Sequence, residues 1–142
     1  MADISQTAVN VAVGSANTPT RIVQFGESVT QGMPVYKLSS DGKYYKADAD
    51  TLAAANVAGI ALTPGATNGY GVIALPSNTP GVSLVNLGAT LAVGLGYYVS
   101  TNAGGIAPAA DVTTGDYPTF LGFATTAALL DFNPVVSNTV KA

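Results

Sequence analysis

The chain has no cysteine, no histidine and no tryptophan, and it carries few charges. Without cysteine the fold cannot rest on disulfides, which fits a protein made in a reducing cytosol. Without cysteine and histidine together, the usual zinc and transition-metal ligand sets cannot be assembled. The missing histidine is also the side chain that most often works as general acid or base near neutral pH. One Glu and seven Asp remain, and the nearest grouping is Asp41, Asp48 and Asp50. No terminal Glu follows them in the manner of a calcium loop, so they read as a solvated turn. No Ser or Thr has a histidine to activate it. Phosphate loops are missing too, since Gly94-Leu-Gly96 lacks both the third glycine and a helix after it. These absences lead us to expect a protein that is not an enzyme and needs no cofactor and no metal.

Asp, Glu, Lys and Arg make up 9% of the 142 residues, where soluble domains carry about 25%. A free monomer ordinarily keeps a more charged exterior, which protects it from association. The chain is 48% apolar, so it is not a disordered composition either. Much of its surface is therefore expected to end up against other protein. Five basic residues and a net charge of −3 argue against nucleic acid, whose phosphates need clustered Lys and Arg. No window approaches the roughly 18 apolar residues of a membrane span, and no basic start followed by an apolar stretch suggests a signal peptide.

What the chain does have is a repeat. Gly26-Glu-Ser-Val-Thr-Gln-Gly-Met-Pro-Val-Tyr36 lies over Gly88-Ala-Thr-Leu-Ala-Val-Gly-Leu-Gly-Tyr-Tyr98 at an offset of 62 residues, which holds through Gly42 and Gly104. It slips to 63 where Val57-Ala-Gly-Ile-Ala-Leu-Thr63 meets Phe120-Leu-Gly-Phe-Ala-Thr-Thr126. Glycines and apolar positions recurring together indicate two copies of one β unit, 26–63 and 88–126, joined by a connector over 64–87. The length suits one domain with a real core: an N-terminal arm over 1–20, a β domain over 21–133 and a tail over 134–142.

Glycine, proline and Asp-Gly punctuation between short runs rich in Val, Ile and Tyr predicts nine or ten strands. The hairpin Met33–Leu38 to Lys43–Ala47 turns at Ser39-Ser-Asp-Gly42, where Asp-Gly supports positive φ. Val57–Leu62 and Thr119–Thr125 are continuous apolar strands expected to be buried on both faces. Asp48–Asn56 is the one helical candidate, with Asp50 as its N-cap, and its shortness suits a single turn or an irregular loop equally well. Ala8–Val13 reads as a strand that could pair inside or outside its own domain. Residues 1–20 and 134–142 are expected to reach neighbouring subunits, chiefly through Val9, Val11, Val13, Phe132, Val135 and Val136. The fold class is all-β, a small barrel or a jelly-roll-like sandwich built from two similar hairpin repeats, with extended arms at both ends.

The motifs Gly26-x-x-Val-x-x-Gly-x-Pro-Val-Tyr36, Asp41-Gly-Lys-Tyr-Tyr-Lys-Ala-Asp48, Val57-Ala-Gly-Ile-Ala-Leu62, Leu87-Gly-Ala-Thr-Leu91, Tyr97-Tyr-Val-Ser-Thr101 and Phe120-Leu-Gly-Phe-Ala124 resemble the capsid cement or decoration proteins of tailed bacteriophages. The resemblance covers roughly 26–132. It implies an all-β protein made in the host cytoplasm and carried in many copies on the outer surface of the head. There it would bridge major capsid protein subunits and associate with itself as a dimer or trimer. The family brings no catalytic residues. Gly26–Gly32 also resembles the hairpin of biotinyl and lipoyl carrier domains, but Lys43 lacks the setting of a modified lysine. An alternative is a tail or fibre module that contacts a host-surface glycan or protein through some of the seven tyrosines.

Overall fold

A computed structural model describes residues 3–142, with Ala110 given by its backbone alone. Strand-forming segments build two antiparallel sheets. The first contains β2 (Thr20–Gln24), β3 (Pro34–Lys37), β4 (Tyr44–Lys46), β5 (Gly59–Ala61) and β6 (Tyr70–Ala74), in the order β2-β6-β5-β3-β4. The second contains β1 (Ala12–Val13), β7 (Leu84–Asn86), β8 (Gly96–Val99), β9 (Ile106–Pro108), β10 (Thr119–Ala124) and β11 (Leu129–Val136), in the order β1-β7-β11-β10-β8-β9. Neither closes into a barrel among the described residues. The architecture is a β sandwich.

Apart from β1, the two sheets share one strand order, and the registers agree. Val35↔Lys46, Tyr36↔Tyr45 and Lys37↔Tyr44 in the first sheet become Tyr97↔Pro108, Tyr98↔Ala107 and Val99↔Ile106 in the second. Likewise Pro34↔Ile60 and Val35↔Gly59 become Gly96↔Phe123 and Tyr97↔Gly122. The paired units are wider than the sequence repeats. β6 completes the first sheet and β7 begins the second, so the 64–87 stretch supplies a strand to each sheet and is not only a connector.

Strand alternation then sends side chains to opposite faces. In the first sheet Val23, Val35, Ala61 and Ile73 point into a core with Phe25 and Val29, over which the sheet curls until Phe25 bridges Tyr44. The opposite face, Ile60 and Ala74 with half-buried Tyr36, packs on the second sheet. That sheet contributes Val85, Tyr97, Val99, Ile106, Leu121, Leu130 and Phe132 to the shared core. Each such large apolar side chain contributes about 1.5–3 kcal/mol by leaving water.

Several local expectations change. The helical piece is the single turn its length allowed, α1 (Leu52–Ala55), but its cap is Thr51 in place of Asp50, Thr51 Oγ1 accepting from the Ala54 N–H at 3.3 Å. Asp50 instead donates its own N–H to Asp48 Oδ1 (3.0 Å). Ala8–Asn10 is a 3-10 turn, leaving a strand of two residues, Ala12–Val13. Residues 134–136 are not tail, because β11 runs on to Val136. Pro134 is tolerated there: pairing with β7 has ended at Asp131, and a bulge interrupts pairing with β10.

Candidate interaction surface

The outer face of the second sheet is assembled from β8, β10 and β11. Tyr98 and Phe120 are cross-strand partners, as are Phe120 and Val135. Tyr98 meets Phe120 edge-on at 5.5 Å between ring centroids, and Phe120 meets Phe123 edge-on at 4.8 Å. The bulge between Phe120 and Gly122 puts both phenylalanines on one side although they stand three apart. Beside them, Gly94 donates to the Ala124 carbonyl (2.8 Å) and Ala124 to that of Leu95 (3.1 Å), which carries exposed Val93 and Leu95 to the end of β10. The result is an aromatic and aliphatic surface in which Phe123 is 55% exposed and Val135 60%.

The matching position in the first sheet explains why this is unusual. Ile60 corresponds to Phe123 in register and is fully buried against the second sheet. The same strand face is therefore interior in one unit and open in the other. Singly exposed apolar residues need no account, but a contiguous set marks an interaction site.

Charge is distributed the other way. The first repeat holds Glu27, Lys37, Asp41, Lys43, Lys46, Asp48 and Asp50; at the matching offset stand Ala89, Val99, Ala103, Gly105, Pro108, Ala110 and Val112. Lys46 lies 3.6 Å from Glu27 and also donates its backbone N–H to that carboxylate at 2.9 Å. The Tyr45 hydroxyl donates to Asp41 (2.6 Å), and with the Lys43 N–H it holds that carboxyl below its ordinary range. Burial pushes Asp48 up, as it does the Tyr36 hydroxyl. Among the described residues no three acidic, histidine or cysteine side chains gather as a metal site. No described helix is long and apolar enough to cross a membrane.

The six expected contact residues separate. Phe132 is fully buried and Val11 nearly so, which corrects their assignment to a partner surface. Phe132 sits opposite Gly122 inside the sandwich, because Leu130 and Phe132 alternate inward while Asp131 and Asn133 do not. Val9, Val13 and Val135 are exposed, and Val136 is half-buried. Of the expected arm over 1–20, the first two residues lie outside the described residues, and Asp3–Val13 lies along the chain's own body. Thr119–Thr125 is buried on one face only, since Phe123 is exposed. The tyrosines do not share a face: Tyr44 and Tyr97 are in the core, Tyr36 packs on Tyr45, and Tyr70 stands exposed on β6.

Beside the arm runs an open groove of about 430 Å³, lined by Ser5, Thr7 and Asn10 on one side and Asn86, Gly88 and Thr90 on the other. Its walls are polar and uncharged.

No family model, no curated protein and no solved structure matches this chain.

Proposed function

We propose that this protein is a non-enzymatic cement of a bacteriophage head, bound to the outer surface and bridging neighbouring major capsid protein subunits. The observation that carries this reading is the uncovered face of Tyr98, Phe120, Phe123 and Val135, set in a repeat almost free of charge. The likeness of the glycine-punctuated hairpins to decoration proteins supplies the assembly. An apolar face at the centre of a contact provides affinity through a few aromatic anchors. Many weakly held copies then stabilise a shell that they bind only when assembled. Self-association as a dimer or trimer belongs to the same reading.

The test is co-sedimentation with heads of the parent phage. Phe123→Asp places a charge in the middle of the face, and we expect it to lower head binding at least about tenfold, the equivalent of 1.4 kcal/mol. Circular dichroism should be unchanged, because the side chain is outside the core. Binding equal to that of the unaltered chain would overturn the assignment of this face.

A further inference from the structure

The N-terminal arm makes a backbone contact that the second unit does not make with its own contiguous chain. In the first repeat β2 runs directly into Phe25 and Gly26, and Gly26 donates to the Tyr44 carbonyl at 2.9 Å. The residues 62 positions on are Gly88 and Ile106, but these two do not meet in the same way. Gly88 instead donates to Asn86 Oδ1 (2.9 Å), and the Ile106 carbonyl accepts from the N–H of Ile4 (2.8 Å). Thr7 donates to the Gly88 carbonyl at 2.6 Å. Between them the Gln6 amide donates to both Leu87 (2.9 Å), just ahead of the second repeat, and Gly32 (3.0 Å) in the first. A terminal segment thus makes a contact that contiguous chain makes in the first repeat.

Contiguous chain cannot leave its place without unfolding the sheet, whereas a terminal arm can. The slot it would leave has a defined chemistry: four backbone carbonyls, of Gly32, Leu87, Gly88 and Ile106, all needing donors. Ile4-Ser-Gln-Thr7 supplies them with two main-chain N–H groups three residues apart and a side-chain amide in between. Gly88 (φ +70) also forms part of the seat, since a Cβ there would collide with the Thr7 carbonyl. Along the Ser5–Thr7 groove the seam is uncharged and mostly polar, while Ile4 packs on the shared core and Val11 is buried, so an arm that leaves must rebury both in its new seat. Beyond β1, whose two residues pair with β7, Ala16 and Asn17 form an exposed link to the body.

We propose that the slot over Leu87, Gly88 and Ile106 is an intersubunit docking site whose occupant is the N-terminal arm of a second copy of this chain. Exchange of an identical element makes the same hydrogen bonds in trans as in cis, which is why such exchange is a low-cost route to association. The proposal deepens the self-association part of the reading above. It is tested without heads, so its failure leaves head binding standing.

The chain has no native thiol, so engineered ones report cleanly. Asp3 and Asn102 are exposed and touch when the arm is seated, Asn102 Nδ2 donating to Asp3 Oδ2 at 3.2 Å. An Asp3→Cys copy is mixed with a size-tagged Asn102→Cys copy at or above about 1 mM, where free copies compete with a short tether, and joined with a short bismaleimide. The cross-linked heterodimer should exceed by about tenfold that from Asp3→Cys with Ser40→Cys, a thiol on a turn away from the slot, if copies compete at the tether's concentration. Adding Ile4→Pro to the Asp3→Cys copy removes the N–H given to Ile106 and should return the yield to the control. Equal yields from the two pairings would overturn the proposal. So would persistence of the product with Ile4→Pro, or internal cross-linking of a double-thiol chain with none between chains.

Discussion

The two repeats pair their strands in one register and yet fill different roles, and the difference is one of cover. The back of the first sheet, at Ile60 and Ala74, is closed by the core of the second. The back of the second, at Phe123 and Asp131, is open among the described residues, with Phe123 55% exposed beside Phe120. Charge follows the same division, with seven charged residues in the first repeat at positions whose counterparts are all neutral. A duplicated unit stacked on its twin buries one back and leaves the other, and here the exposed one is aromatic. The arm is a second asymmetry: contiguous chain bonds to Tyr44 in one unit, while the terminus bonds to Ile106 in the other.

Substituting matched residues is the sharpest way to break this comparison. Ile60→Ala should destabilise the fold by about 2–5 kcal/mol, while Phe123→Ala, an exposed truncation, should stay within about 0.5 kcal/mol. Urea unfolding of the two variants reads both, and equal losses would mean that Phe123 is covered. The next largest effect tests what the repeats share. Gly59 and Gly122 occupy matching strand positions, where a Cβ would run into the carbonyl of Ala74 or of Asp131, and Gly122 also has φ +147. Alanine at either should cost about 1–3 kcal/mol, by crowding at Gly59 and by crowding with backbone strain at Gly122. A neutral Gly59→Ala would show that the two positions are not equivalent.

The charged corner of the first repeat gives the smallest effects. Burial raises Asp48 above its unfolded value, so the folded chain holds that proton more tightly. Its ionised form therefore opposes folding at neutral pH, and the penalty disappears as pH falls below the ordinary carboxylate range. Asp48→Asn should raise the melting temperature slightly at pH 7 and not at pH 3. Asp41 has the opposite sign: Tyr45 and Lys43 lower it, so its contribution is present above the ordinary range and fades as pH falls through the depressed value. Tyr45→Phe should remove part of that contribution at pH 7, with a smaller loss in acid.

Much of this architecture could be read before any coordinates. Asp41-Gly42 announced its hairpin because few other pairs accept positive φ, and Gly42 has φ +73. Val57–Leu62 announced a strand enclosed on both faces, as Gly59–Ala61 is. The surface was harder. Phe132 and Phe123 are both phenylalanines on apolar strands, yet one is in the core and the other is exposed. The alternation of Leu130 and Phe132 with Asp131 and Asn133 was available as a sign that Phe132 turns inward. Nothing local marked Phe123, because its direction depends on the bulge after Phe120.

By itself the sequence determined the all-β character, through its run lengths and turn residues, and the low charge content of 9%. These are local or compositional properties, and they survive any arrangement of the strands. Only the tertiary structure decided which back was covered, that Val11 turns inward, and that the Ile106 carbonyl receives the terminus. Those outcomes depend on contacts between residues as far apart as Ile4 and Ile106, and short-range pattern carries no record of them.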